Sequence, residues 1–395
     1  MNETYAAILA MIQSALTARP CAVAEGVDWD RAFAICKRHY IVPIVYYGML
    51  CSGITGAPLS LFASMSMRMI VQEQHQLDML ETLERRFAEE GIDYLPIKGS
   101  VLKSLYPKTE MRMMSDMDIL IRAEQQDKVD ALLTGMGCDR RKDSDHVVVY
   151  LKKPFIVLEI HTALVPSYDR DYYAVFKDGW DRAEPIAPGA HRYRTSVEDT
   201  FLFVVAHLAK HYREGGIGLR QFVDVRLLQK RYPDMDMRAV RRGLQALGIE
   251  RFYDNVCATL GVWFDGDPAT ELTDFLTVRT FEGGAYGSDE KHRTAVAVRT
   301  SEDHGGVKKG RAISLWQAVF MPLREMKTRY PILRKAPILL PIMWVVRWVT
   351  AVFQPKRIRA RAERIGRINH AEIDAYTAEL QYVGLSFETG PAPHR

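Results

Sequence analysis

A chain of 395 residues, 48% hydrophobic and with a formal net charge of +4, has room for two or three domains with real cores. Residues 1–20 include Glu3 and lack a basic start followed by a long apolar stretch, and the five cysteines (Cys21, Cys36, Cys51, Cys138, Cys257) are scattered, without metal-ligand spacing. These features argue against a secretory leader, a disulfide framework and a cysteine-held metal, and point to buried thiols in a reducing cytoplasm.

Residues 1–91 read as helical throughout. Asp28-Trp-Asp-Arg31 begins a helix, and Tyr40-Ile-Val-Pro-Ile-Val45 crosses to the next. Gln72 to Glu90 carries Leu77, Leu80, Leu83 and Phe87 at helical spacing until Gly91 ends it. Asp93 to Ile97 is a first strand, and Ser100 to Tyr106 a short helix stopped by Pro107. Between them, Lys98 either offers a point charge to a phosphate or is a solvated strand-end lysine.

The next strand, Asp116 to Arg122, is the most informative. Residues two apart on a strand share a face, so Asp116 and Asp118 project together while Met117 and Ile119 pack behind them. Two adjacent carboxylates repel unless a cation lies between them, and oxygen ligands suit a Mg²⁺ ion carrying phosphates. The plain alternative is a solvated edge strand. Glu124 to Met136 is an amphipathic helix through Val129, Leu132 and Leu133, and His146 to Leu151 and Phe155 to Ala163 form a hairpin around Lys152-Lys153-Pro154. On its second strand, Glu159 and His161 share a face opposite Leu158 and Ile160. An unpaired carboxylate is costly to bury, so Glu159 either faces water or joins the two aspartates, giving three carboxylates able to hold two magnesium ions.

Ser196-Val-Glu-Asp199 opens a helix over Thr200 to Tyr212, with a capping serine and an acidic first turn. That helix sets His207 and His211 four apart on one face, the spacing of a zinc pair, of residues ordering a substrate, or of core histidines. The Gly215-Gly-Ile-Gly218 break leads to another helix, on which Arg220 and Asp224 are spaced to pair with each other.

Together, Lys98-Gly99, Leu102, Tyr106, Arg112, Asp116-Met-Asp-Ile-Leu-Ile121, Leu158-Glu-Ile-His161, His207, His211, Arg220 and Asp224 resemble the uncharacterised bacterial nucleotidyltransferase family of the DNA polymerase beta-like superfamily. The resemblance covers most of residues 90–230. Fifteen residues separate Ser100 from Asp116, more than is usual in the broader superfamily, and the spacing fits the narrower family. It implies an α+β fold: a small mixed sheet with helices on one side, flanked by N-terminal and C-terminal helical regions. It implies that Gly99 lets backbone approach an NTP and that Ser100 and neighbouring N–H groups hold its phosphates. Asp116 and Asp118 would ligate Mg²⁺ (or Mn²⁺), Glu159 would complete a second metal site or act as base, and Arg112 would neutralise phosphate charge. His161, His207, His211, Arg220 and Asp224 become pocket residues.

The division expected is a helical region at 1–91, a transferase core at 92–194, a helical substrate-side region at 195–300, a basic apolar segment at 301–369 and a loose tail at 370–395. From Val307 to Arg367 fifteen Lys or Arg face two acids, while the rest of the chain is net acidic. Ala336 to Phe353 is almost wholly apolar, but Arg347, Pro337 and Pro341 argue against spanning a bilayer. An interfacial segment with Lys356-Arg-Ile-Arg-Ala-Arg361 on anionic headgroups is favoured over a core helix. Nucleic acid comes third, for want of interleaved aromatics. The expected activity is magnesium-dependent transfer of an NMP to a small-molecule or protein acceptor, cytoplasmic or peripheral on the inner membrane face. The competing readings are a non-catalytic nucleotide-binding or membrane-associated scaffold, and a toxin-like transferase modifying protein or tRNA.

Overall fold

The computed structural model describes residues 2–144, 146–166, 169–284, 332–352 and 370–386, with single positions at 316, 320, 321, 323, 326 and 330. The architecture is mixed helix and sheet, as the sequence implied.

Three helices open the chain, α1 (Glu3–Thr17), α2 (Trp29–His39) and α3 (Val42–Cys51). Asp28 caps α2 by accepting from the Arg31 N–H at 2.9 Å, and Tyr40 takes a left-handed turn into α3. The backbones of α1 and α3 cross so closely that a Cβ at Gly48 would lie 1.9 Å from the Met11 carbonyl oxygen. Only glycine fits there. Helix α4 (Ala57–Glu89) is 33 residues long and starts well before the Gln72 expected from periodicity.

A five-stranded sheet follows, with β1 (Tyr94–Pro96), β2 (Met117–Ile121), β3 (Asp139–Asp143), β4 (Val147–Lys152) and β5 (Ile156–His161) in the order β1-β2-β5-β4-β3. The edge strand β3, Asp-Arg-Arg-Lys-Asp, has no apolar alternation and was not expected. It is held by backbone pairing to β4. Strands β2 and β5 run parallel, and Asp118 pairs in register with Glu159. One sheet face, carrying Met117, Ile119, Ile121, Leu158 and Ile160, packs on Leu83 and Phe87 of α4 and on Val129 and Leu133 of α6 (Gln126–Gly135). The opposite face carries Asp118, Leu120, Glu159 and His161. There Leu95, Ile97 and Leu120 pack with Leu164, Trp180 and Tyr193. Between β1 and β2 lies the short α5 (Gly99–Leu102), and after β5 come α7 (Arg170–Phe176) and a ribbon of β6 (Ala183–Pro185) with β7 (Tyr193–Thr195).

Helices α8 (Val197–Arg213), α9 (Leu219–Arg231), α10 (Met237–Ala246), α11 (Glu250–Phe264) and α12 (Glu271–Gly283) complete the body. The Ser196 hydroxyl caps α8 by accepting from the Asp199 N–H at 3.0 Å. Residues of α1–α3 and of α8–α12 share one hydrophobic core, so the regions expected at 1–91 and 195–300 fold together rather than separately. The expectation of a loose tail is corrected for residues 370–386. Helix α14 (His370–Tyr382) packs on that core through Ile373, Tyr376 and Leu380, and Arg279 Nε donates to Glu379 at 2.6 Å.

Helix α13 (Leu340–Val352) packs through Trp344 in a small separate cluster with Met321 and Leu333, and the Trp344 indole N–H donates to the Met321 carbonyl at 2.8 Å. Most of the basic segment, including Lys356 to Arg361, lies outside the described residues. No helix among the described residues is long and apolar enough to cross a membrane.

Candidate active site

The acidic face of the sheet, the β1–α5 turn and one side of α8 and α9 enclose a cleft of about 240 Å³. It is lined by Lys98, Gly99, Arg112, Asp116, Asp118, Glu159, His207, His211, Arg220 and Asp224. Residues up to 126 positions apart in sequence thus meet at one place.

Asp118 is at its centre and is 3% exposed. Its Oδ1 accepts from Lys98 Nζ at 2.6 Å and from His161 Nε2 at 2.8 Å. Burial opposes ionisation of this carboxyl, but the Lys98 ammonium and the His161 bond outweigh burial and hold it well below the usual carboxylate range. An ionised carboxylate only accepts, so His161 carries its proton on Nε2. Burial, with the Lys98 charge nearby, keeps that imidazole below its ordinary pKa despite Asp118. Burial and the charge of Asp118 push the Asp116 carboxyl upward. Glu159 is partly open to the cleft, with Oε2 3.8 Å from His161 Nε2. Ligand atoms of Asp118, Glu159 and His161 all lie within 4.8 Å of one another. The carboxylates of Asp118 and Glu159, with Asp116 alongside, offer oxygen donors that fit a divalent cation, while the His161 Nε2–H is engaged on Asp118.

The second half of the cleft differs from expectation. Asp224 does not pair with Arg220. It receives Arg112 in a two-pronged contact, Nε to Oδ1 at 3.2 Å and Nη2 to Oδ2 at 2.8 Å, and the Tyr106 hydroxyl donates to Oδ1 at 2.8 Å. All three side chains are buried, so the Arg112 guanidinium is committed to Asp224. Arg220 instead donates through Nη1 to the Met113 carbonyl at 2.5 Å while still lining the cleft. A planar bidentate acceptor suits Arg112 better than the single carbonyl contact an i,i+4 arginine would leave it.

Gly99 is required by its neighbours. A Cβ there would lie 2.6 Å from Arg112 Nη1 and 2.7 Å from Met114 Cγ. The Ser100 hydroxyl is buried outside the cleft lining and has no hydrogen-bond partner. His207 and His211 hydrogen-bond to each other, Nε2 to Nε2, at 2.9 Å. Burial pushes both below the ordinary range, His211 to about 4, so one neutral ring donates and the other accepts.

Sequence reasoning missed Lys210, Glu214 and Gln221, which also line the cleft. The signal was present: Phe203, His207, Lys210, His211 and Glu214 follow the same helical stripe. Beyond Lys98, Leu102, Phe203 and Val204 opens an adjoining cavity of about 220 Å³, largely apolar through Ile97, Val101, Leu164 and Phe176.

A family model described as uncharacterised nucleotidyltransferase matches residues 25–265. The chain belongs to that family. Nucleotidyl transfer is therefore its class of activity, and the match spans both the acidic sheet face and the helices that close the cleft. Among solved structures, the antibiotic-resistance factor ANT(2'')-Ia aligns at 12% identity and TM-score 0.33, over 48% of this chain and 96% of that one. An antigenic nucleotidyltransferase-like protein from Paracoccidioides brasiliensis aligns at 15% identity and TM-score 0.30, over 45% of this chain and 88% of that one. No curated protein matches the chain.

Proposed function

We propose that this nucleotidyltransferase moves a nucleoside monophosphate from an NTP to a hydroxyl or phosphate acceptor and releases pyrophosphate, with Mg²⁺ as cofactor and Mn²⁺ as its substitute. The observation that supports this most is the parallel register placing Glu159 beside Asp118, on the face that lines the cleft. Had the strands slipped by one residue, the two acids would stand on opposite faces.

Asp116, Asp118 and Glu159 would hold the cation, which when bound supplies charge neutralisation for the triphosphate. Glu159, open to the cleft, is placed to take the proton from the acceptor oxygen as that oxygen bonds to the α-phosphorus. The bond from the α-phosphorus to the bridging oxygen breaks, and pyrophosphate carries the electron pair away. His161 orients Asp118 through its Nε2–H. Lys210 and Arg220, on the opposite wall, are the cations that face the phosphates, the role expected of Arg112. The acceptor is a small molecule or a protein side chain.

The test is incubation of the full chain with Mg²⁺ and each α-labelled NTP, in cognate lysate and alone, beside Glu159→Gln. Pyrophosphate release and a labelled product with one preferred NTP are expected from the wild type alone. Label in a protein or tRNA would identify the toxin-like variant of this reading. Absence of label and pyrophosphate with all four NTPs would leave a nucleotide-binding scaffold.

A membrane partner is proposed on a separate observation. Ile338, Ile342, Val345 and Val349 follow one another at helical spacing along α13 and the turn before it, and are 87%, 56%, 52% and 54% exposed. Beside a segment carrying an excess of thirteen positive charges, that stripe suits an anionic lipid surface. Flotation with vesicles containing phosphatidylserine should carry the chain upward, and Ile342→Asp with Val349→Asp should abolish it. Equal flotation on neutral vesicles, or none on either, would remove the proposal.

A further inference from the structure

Lys98 has a backbone conformation that an L-residue adopts only under constraint, φ 50° and ψ −121°. The constraint comes from both flanks. Pro96 pairs with Ile119, and the Ile97 N–H donates to the Asp118 carbonyl at 3.2 Å. On the other side, the Val101 and Leu102 N–H groups donate to the Lys98 carbonyl at 3.1 and 2.9 Å. Strand and helix thus fix a kink that sets the side chain over the acidic face, where Nζ meets Asp118 Oδ1. A solvated strand-end lysine needs no such kink.

Three carboxylates, Asp116, Asp118 and Glu159, share this part of the cleft with Lys98. Arg112 is spent on Asp224. The Lys98 ammonium touches the cluster at Asp118 Oδ1, which it shares with His161, while Lys210 and Arg220 also line the cleft. A divalent ion approaching that oxygen meets a like charge already there. The Lys98 side chain also borders the adjoining cavity, which gives it room to leave Asp118.

Resting on the nucleotidyl-transfer reading, we propose that Lys98 is a tethered counter-ion of the acidic cluster. It balances Asp118 in the resting chain and weakens capture of free divalent metal. It turns to the phosphates only when a metal–nucleotide complex takes over the carboxylate. Lys98 then acts as a positioning residue that makes metal loading depend on nucleotide.

The experiment is titration of Mn²⁺ into the full chain, first without nucleotide and then with ATP, reading free Mn²⁺ by electron paramagnetic resonance and folding by circular dichroism. Lys98→Met should bind Mn²⁺ about tenfold more tightly than the wild type, because a like charge has left the site. Lys98→Arg, which keeps the charge, should stay near the wild type. Lys98→Met should also unfold at lower temperature in EDTA and be rescued by Mn²⁺, since Asp118 has lost its buried partner. If Lys98→Met folds only with Mn²⁺ present, that rescue supports the proposal, and failure to fold in either condition overturns it. A folded Lys98→Met with equal or weaker Mn²⁺ binding overturns the role of Lys98 and leaves the transferase reading standing. Absence of Mn²⁺ binding in wild type and variant, with and without ATP, overturns both.

Discussion

Asp118 and Glu159 are neighbours in register, yet removing them tests different things. Asp118 is buried between Lys98 and His161, so Asp118→Asn strips a charge from a packed network and disturbs stability together with activity. Glu159 is partly open to the cleft, and its amide isostere leaves that network in place. Glu159→Gln should therefore lower kcat by about 10²–10⁴-fold, the usual worth of a positioned base, while the thermal midpoint stays near the wild type. Steady-state kinetics beside a melting curve checks this, and a variant retaining most of its turnover would remove Glu159 from the chemistry. Lys210 gives a complementary expectation. Lys210→Met should raise KM for the NTP by about tenfold, the cost of one lost contact to a charged phosphate. An unchanged KM would mean that the triphosphate lies elsewhere.

Between elements, the contact of most consequence is the one that joins the loop before β2 to α9. Tyr106 and Arg112 both end on Asp224, and all three are buried. Asp224→Ala leaves an arginine and a hydroxyl without their acceptor inside the protein and should cost about 3–5 kcal/mol in urea unfolding. Arg220→Met, one turn away and partly exposed, should cost far less. Equal losses would show that the clamp is not what ties the acidic sheet to the helices. This contact also marks where sequence reasoning stopped. The alternation in Asp116 to Ile121 and Phe155 to Ala163 made β2 and β5 legible, because one face of each strand is wholly apolar while the other carries Asp118, Glu159 and His161. The partner of Asp224 was not legible: a residue four positions away is the natural guess, and the true partner lies 112 residues upstream. Strand β3 was hidden because its five residues are all polar, and backbone pairing to β4 places it in the sheet without an apolar period. For α14, by contrast, Ile373, Tyr376, Leu380 and Val383 carry a helical period that the surrounding acids obscured.

Across the whole molecule, the joint between the N-terminal helices and the α8–α12 body rests in part on His39, which is fully buried. Its Nε2–H donates to the Phe281 carbonyl at 3.2 Å, and its Nδ1 accepts from the Leu219 N–H at 3.3 Å. Both ring nitrogens are thus used by the neutral imidazole, and a second proton would face the Leu219 N–H. Burial, helped by Arg38 and Arg220, lowers its pKa to about 4. His211 is also lowered to about 4, by burial and then by Lys98, Lys210 and Arg220, with Asp118 opposing. The unfolded chain would protonate both near 6.5. Between these values it binds protons that the folded chain refuses, so stability is full above about pH 6.5 and declines as pH falls toward 4. Each histidine contributes a slope of about 1.4 kcal/mol per pH unit within that window. Asp118, depressed by Lys98, adds stability that is lost only at more acid pH, and the raised carboxyl of Asp116 acts in the opposite sense. Urea unfolding at pH 7.5, 6.5, 5.5 and 4.5 should show a steady fall below 6.5. His39→Gln should be less stable at pH 7.5 yet lose less on acidification, because one proton has left the balance. A wild-type profile flat from 6.5 to 4.5 would mean that these rings accept protons inside the fold, and that acid does not loosen the joint at His39.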